Sequence, residues 1–336
     1  MKPITHAAFT ICSNNYLGQA MALKQSLLKH NPTFTFFIIL VDAPSKEVDY
    51  TLFEPAEVIP IAEVDTIDLD DLIARYYIIE LNTAVKPSIF KFLKKKYPEL
   101  QALYYLDPDL YFYNSLEETN TILQKKTAVL TPHILSPIPR DGKLPEENTF
   151  LRFGIYNLGY AGINMQSEIA AEMLDWWEER VIKFGYDRPT KGYFVDQLWM
   201  AQAPLFFKDI VVLKTYNYNM APWNLHERRV ESIDGDKVML NDGSRLVFYH
   251  FSKLAEDETA VSREYDRYSL NEFPNLKKLY TDYKMVMADC HYSEYKKIPI
   301  AFDVKMNLKP EPKKFSTIGK LLRKIGWKFV RLSEKL

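Results

Sequence analysis

Apolar stretches of strand length alternate with stretches of helical periodicity from the start of the chain, and that alternation leaves few folds open. Ala7 to Cys12 is compact and apolar, and Ser13-Asn14-Asn15 is turn chemistry. Tyr16 to His30 then carries Leu17, Ala20, Leu23, Leu27 and Leu28 at helical spacing until Asn31-Pro32 stops it. A second apolar run, Phe34 to Val41, ends at Asp42-Ala43-Pro44, and a weaker strand is expected around Glu57 to Ile61. Strand and helix in turn predict a mostly parallel sheet covered on both faces. With 336 residues, 47% hydrophobic and 14% aromatic, the chain has the material for one large core.

Further along, Thr83 to Tyr97 reads as a helix with a buried stripe at Val85, Ile89 and Leu93; Pro87 restricts its start to about Lys86, and Pro98 ends it. The strand Leu103-Tyr104-Tyr105-Leu106 follows, closed abruptly by Asp107-Pro108-Asp109 before Leu110-Tyr111-Phe112 resumes. Ligands of open α/β sheets bind beyond the carboxyl ends of the strands, so these acids stand where chemistry is expected. Thr131 to Asn148, rich in proline and charge, predicts a surface loop that adapts to a ligand. Next come a strand near Ala161 to Met165, a helix from Ser167, an N-cap, to Phe184, and a helix beginning near Phe194. Asp242-Gly243 predicts a hairpin between Lys237 to Leu240 and Arg245 to Phe251.

Cys12 and Cys290 form no metal-ligand spacing and no disulfide framework, which points to a reducing compartment. Met1 to Cys12 lacks the pattern of a secretory signal, and no apolar stretch approaches 20 residues, so the expected location is cytoplasmic. The formal charge of -1 hides an asymmetry: residues 305–336 hold ten Lys or Arg against Glu311 and Glu334, a net of +8, which leaves -9 for residues 1–304. This divides the chain into an acidic body, 1–304, and a basic tail, 305–336. Within the tail Ile318, Leu321, Leu322, Ile325, Phe329 and Leu332 fall on one helical face with basic residues opposite. Such a helix suits the surface of an anionic membrane, on the inner face of the cytoplasmic membrane, through residues 315–336. The alternative is a terminal helix packed on protein.

Two carboxylates separated by Pro108 turn towards one ion if the proline bends the backbone, and their oxygens suit Mg²⁺ or Mn²⁺ with positions left for phosphate. An isolated Asp-Xaa-Asp is more often a turn with a cap. Here, however, it closes a strand so apolar that uncompensated charge would be costly. His250, at the end of another strand, offers an imidazole to the same ion, and Lys253 offers a point charge to a phosphate. Asp196 and Gln197 read as a helix cap, Asn157 and Gly159 as strand shaping, and Trp223 as packing or as a platform for a sugar face. No Gly-rich phosphate loop occurs, which argues against dehydrogenases and kinases and weakens a nucleotidyltransferase of similar sheet. No nucleic-acid partner is expected.

In order along residues 7–255, these motifs resemble the retaining GT-A glycosyltransferases of the family 8 type. Thr10-Ile11-Cys12-Ser13-Asn14-Asn15-Tyr16 is similar to the family's first strand and nucleotide loop, and Tyr105-Leu106-Asp107-Pro108-Asp109 to its Asp-Xaa-Asp signature. Asn157-Leu158-Gly159 resembles its Asn-Xaa-Gly strand, Asp196-Gln197 its Asp-Gln pair, and His250-Phe251-Ser252-Lys253 its closing metal-histidine and lysine segment. Asn14-Asn15 replaces a common acidic residue, Lys86 stands for an arginine, and a glycine between histidine and lysine is missing.

The resemblance implies a Rossmann-like GT-A fold and transfer of a hexose, with retention, from a nucleoside diphosphate sugar, expected to be UDP-linked. The acceptor would be a hydroxyl of a bacterial surface polysaccharide or lipid-linked glycan. Asp107, Asp109 and His250 would hold Mn²⁺ or Mg²⁺. Ser13, Asn14, Tyr16, Lys86, Asp107, Asn157, Gly159 and Lys253 would bind the donor, with Asp196 on its sugar hydroxyls and Gln197 near the anomeric carbon. A catalytically inactive glycan-binding protein would keep the fold without the metal. Paired acids of glycoside hydrolysis stand several ångströms apart across a glycosidic bond, which adjacent acids do not match.

Overall fold

The computed structural model describes residues 3–302. The basic tail, its helix over 315–336 and the boundary at 304/305 lie outside the described residues.

The opening alternation folds as its periodicity predicts. Strand β1 (His6–Cys12) leads into helix α1 (Leu17–His30), followed by β2 (Thr35–Leu40) and β3 (Glu57–Pro60). A short helix, α2 (Ile78–Ala84), precedes α3 (Lys86–Lys96), which has Pro87 in its first turn, where a missing N–H is harmless. Then come β4 (Ala102–Leu106), β5 (Leu110–Phe112), β6 (Ala128–Pro132), helix α4 (Glu147–Phe153), β7 (Tyr156–Asn164) and helix α5 (Glu168–Phe184). Ser167 caps α5, its hydroxyl accepting from the Ala170 N–H at 3.3 Å. Later elements are α6 (Gln197–Met200), β8 (Ile210–Val212), β9 (Val230–Asp234), β10 (Lys237–Leu240), β11 (Phe248–His250) and α7 (Pro274–Asp289).

Seven strands form the main sheet in the order β8-β6-β7-β4-β1-β2-β3. All neighbours are parallel except β7, which runs antiparallel to both β4 and β6. Successive side chains of a strand alternate between faces, so β1 and β4 feed two cores. Ala8, Cys12, Tyr104 and Leu106 join α1 and α7 on one side. Phe9, Ile11, Leu103 and Tyr105 join α3 and α5 on the other, where Phe90 and the fully buried Trp177 face each other at 6.4 Å. Each fully buried Leu, Ile or Phe among them contributes about 1.5–3 kcal/mol relative to exposure.

Four local expectations change. The strand near Ala161 begins at Tyr156, so Asn157 and Gly159 are in the sheet. The end of the 131–148 loop is helical, and the helix expected from Phe194 begins at Gln197. Lys237–Leu240 pairs principally with Val230–Asp234 around Gly235, whose φ of 57° needs a glycine. The Asp242-Gly243 turn does form, but beyond the Met239 to Arg245 bridge the chain leaves to pair with β5. Local turn chemistry marked both turns without deciding which ladder each strand would join.

Among the described residues no helix is long and apolar enough to cross a membrane.

Candidate active site

All five residues of β4 are buried, so the chain turns out of the core where the carboxylates begin. The Leu110 N–H donates to the Asp107 carbonyl at 3.1 Å to close that turn. β5 then pairs antiparallel with β11, placing His250 opposite Leu110, while the Phe251 N–H donates to the Asp109 carbonyl at 2.9 Å. This register brings His250 Nε2 to 3.0 Å from Asp109 Oδ1 and 3.7 Å from Asp107 Oδ2. One ligand atom from each of the three residues lies within 4.8 Å of the others.

The surroundings fit a cation. The Asp107 N–H donates to the Gly159 carbonyl at 2.7 Å, and the Tyr105 hydroxyl donates to Asp107 Oδ1 at 2.5 Å. A Cβ at Gly159 would lie 2.6 Å from Asp107 Oδ2, 2.7 Å from His250 Cε1 and 2.9 Å from Asn157 Oδ1. Space alone therefore reserves this position for glycine, and the reserved space borders two of the three ligands. Two carboxylates with one imidazole form a donor set for Mn²⁺, or for Mg²⁺ less favoured by the nitrogen. Gly159→Ala is expected to weaken Mn²⁺ binding about 10–100-fold, as supporting-shell changes do, while far-ultraviolet circular dichroism stays unchanged. Unaltered Mn²⁺ affinity by calorimetric titration would show that the cradle is irrelevant to the ion.

Charge follows the geometry. Burial depresses the His250 imidazole, but Asp109 and then Asp107 outweigh it, so the ring titrates above its ordinary value. Burial raises Asp109, and His250 reverses that, leaving the carboxyl below its ordinary value.

A second layer lies beneath the ligands. Lys86 Nζ stands 2.8 Å from Asp196 Oδ2, with both side chains nearly inaccessible, and donates to the Leu158 carbonyl at 3.1 Å. The ammonium also lies 4.1 Å from the Tyr105 ring centroid, a cation–π contact. Burial, aided by Asp107 and opposed by Lys86, raises Asp196 above the usual carboxylate value. Asp196 makes no side-chain cap for α6; its carboxylate is used by Lys86. Gln197 spans two segments, its Oε1 accepting from the Leu158 N–H at 3.0 Å and its Nε2 donating to the Phe153 carbonyl at 2.6 Å.

Sequence reasoning missed His133. It follows β6 directly, the same strand-end position that singled out Asp107, yet a lone histidine in a proline-rich loop carries little weight. Its ring stacks on Phe150 at 5.0 Å and meets Trp223 edge-on at 5.3 Å, and Trp223 meets His250 at 5.1 Å. His133 Nε2 lies 3.4 Å from Asn157 Nδ2, leaving the buried Asn157 Oδ1 without a protein partner beside Gly159.

Burial holds the His133 pKa down to about 3. The unfolded chain takes up this proton near pH 6.5, the folded protein only near 3. Stability from this group is thus complete above pH 6.5 and falls as pH drops between the two values, by up to about 1.4 kcal/mol per pH unit. His133→Gln is expected to flatten the acid limb of the urea-unfolding free energy by that slope, and an unchanged limb would contradict it.

The remaining residues divide. Tyr16, 41% exposed, stands close enough to Asp109 that, after partial burial, this charge raises its hydroxyl pKa. Lys253 is exposed, 3.4 Å from Glu264, with φ of 53°. Ser13 donates to Asn15 Oδ1 at 2.6 Å. Asn14 is committed internally: its amide donates to Asp42 Oδ2 at 2.9 Å and to the Ala43 carbonyl at 2.8 Å, while its oxygen accepts from Tyr50 at 2.6 Å. The structure thus gathers Asp107, Asp109, His250, Asn157 and Gly159 tightly, sets Lys86, Asp196 and Gln197 behind them, and uses Asn14 to tie β1 to β2.

No protein-family model matches the chain. It is 27% identical over 252 residues to an uncharacterized protein of Bacillus subtilis (strain 168), YfnF, covering 74% of this chain and 82% of that one. Among solved structures it resembles the glycosyltransferase GlyE of Streptococcus pneumoniae TIGR4, with a TM-score of 0.50 and 13% identity over 88% of this chain and 65% of that one. It likewise resembles the bifunctional glycosyltransferase WbbM, with a TM-score of 0.50 and 11% identity over 93% of this chain and 52% of that one. At such identities the likeness is one of architecture, and that architecture is the GT-A fold: a mainly parallel seven-stranded sheet flanked by helices.

Proposed function

We propose that the protein is a metal-dependent glycosyltransferase of the family 8 type. It would transfer a hexose, with retention, from a UDP-sugar to a hydroxyl of a surface polysaccharide or lipid-linked glycan. The observation that carries this reading is the convergence of Asp107, Asp109 and His250 around the space that Gly159 keeps open. A divalent ion held there, Mn²⁺ or Mg²⁺, would neutralise the diphosphate and stabilise it as a leaving group. Lys253, exposed beside the ligands, supplies a further positive charge to the phosphates. Lys86 is too enclosed by Asp196 and Leu158 to meet a phosphate directly; its role is to hold Asp196, which would accept from donor-sugar hydroxyls. Gln197 would lie near the anomeric carbon, Asn157 Oδ1 would accept from the sugar, and Tyr16 would stack on the base, with Ser13 shaping the loop beneath it.

The test is a screen of nucleotide sugars for Mn²⁺-dependent hydrolysis and binding. Neither hydrolysis nor binding with any of them would overturn the proposal; binding without turnover would favour an inactive glycan-binding protein. We assign residues 315–336, outside the described structure, to an anionic membrane surface on the inner face of the cytoplasmic membrane. Co-sedimentation with phosphatidylglycerol vesicles should be lost on deleting them, and equal sedimentation of the truncated chain would refute that part.

A further inference from the structure

We propose that a cavity of about 390 Å³ between the β6–α4 loop and α4 binds an uncharged sugar unit of the acceptor glycan. Its lining includes Ile138, Arg140, Glu146, Asn148 and Leu151, which combines two elements that sugars need. Leu151, 74% exposed, offers apolar surface for ring C–H groups. Arg140, Glu146 and Asn148 are planar polar groups that donate to and accept from hydroxyls. The volume lies near the small end of ligand pockets, ~300–1,000 Å³. One arginine against Glu146 and Glu147 leaves the lining net negative, so a phosphate or uronate is repelled and a neutral ring is favoured.

The loop that walls this cavity is fastened. Arg267, 5% exposed, pairs with Asp141 Oδ2 at 2.6 Å and donates to the carbonyls of Lys143 at 2.7 Å and Pro145 at 3.0 Å. Glu147 accepts from the Ile138 N–H at 2.9 Å, joining the two walls. The helix that walls the cavity is also linked to the metal ligands through three successive rings. Helix α4 turns Leu151 outward and Phe150 inward; Phe150 stacks on His133, His133 meets Trp223, and Trp223 meets His250. The same helix ends at the Phe153 carbonyl that Gln197 holds. A glycan seated on α4 therefore lies at the far end of a chain of three rings, Phe150, His133 and Trp223, whose other end packs on the metal-ligand His250. That it is the acceptor rests on the glycosyltransferase reading; that the cavity takes a neutral sugar does not.

Saturation-transfer NMR on the full chain, with methyl glycosides of glucose, galactose and N-acetylglucosamine and their β-1,4 disaccharides as probes, tests this. At least one should receive saturation, reduced by about five-fold or more in Arg140→Ala/Leu151→Asp, the loss typical of a contact residue, and undiminished by equimolar inorganic phosphate. Should that variant misfold by thermal melting, Asn148→Ala serves with the same expectation. No saturation with any sugar, an undiminished signal in the folded variant, or displacement by phosphate overturns the proposal. UDP binding with Mn²⁺ is measured in parallel. Sugar binding at α4 without UDP binding would leave the cavity standing and remove the UDP assignment; sugar binding at α4 without binding of any nucleotide sugar would remove the glycosyltransferase reading.

Discussion

Asp109→Asn is expected to abolish Mn²⁺-dependent turnover of a nucleotide sugar while the protein stays folded. The substitution is isosteric and leaves the backbone bond from the Phe251 N–H to the residue 109 carbonyl in place, so the pairing of β5 with β11 survives. What changes is the ligand set: one of two anionic ligands becomes a neutral amide opposite His250 Nε2, now 3.0 Å away. A hard divalent ion loses most from that change, because oxygen anions supply its binding. Losing the ion removes the stabilisation of departing diphosphate, and a drop of at least about 10²-fold in turnover is expected, comparable to loss of a single group that stabilises a developing anion. Turnover with and without Mn²⁺, together with titration calorimetry of the ion, gives the answer. Wild-type turnover by the variant would sink the metal assignment even if the protein proved to be a glycosyltransferase.

Why this site was legible, and its neighbours less so, has a physical origin. Asp107 and Asp109 stand out because two charges closing so apolar a strand are costly unless neutralised, which outweighs the ordinary reading of Asp-Xaa-Asp as a turn with a cap, and His250 and Gly159 then fall into place by family order. The Lys86 to Asp196 pair joins residues 110 positions apart, one at the start of α3 and one just before α6, and nothing local in either segment records it. Read alone, Asp196 before a helix is a cap; in three dimensions its carboxylate is used by a lysine. Asn14 shows the reverse. Its position in the nucleotide loop suggested ligand binding, yet Asp42, Ala43 and Tyr50 take up its whole amide. The β9–β10 ladder was missed for a related reason: both Gly235 and Gly243 adopt positive φ, and turn chemistry does not rank two competing partners for one strand.

Removing the Lys86 ammonium should be the most destabilising change in the site. Lys86→Met keeps the length of the side chain but leaves Asp196 buried and unpaired, with Asp107 raising its charge cost further. Breaking a buried pair from one side costs about 3–5 kcal/mol, whereas replacing both partners by apolar groups is often neutral or stabilising. Lys86→Met is therefore expected to lose about 3 kcal/mol or more in urea unfolding, and Lys86→Met/Asp196→Leu to recover most of it. A loss under about 1 kcal/mol in the single variant would mean that Asp196 is readily hydrated or protonated, and that the pair is not the strut inferred here. The double variant also separates two roles that the single changes confound. If Asp196 only braces β7 against α6, the refolded double variant should turn over donor; if its carboxylate accepts from donor-sugar hydroxyls, the double variant should be stable and inert. Stability and activity then part company at one residue, which makes the assignment of Asp196 to substrate rather than to scaffold a measurable difference.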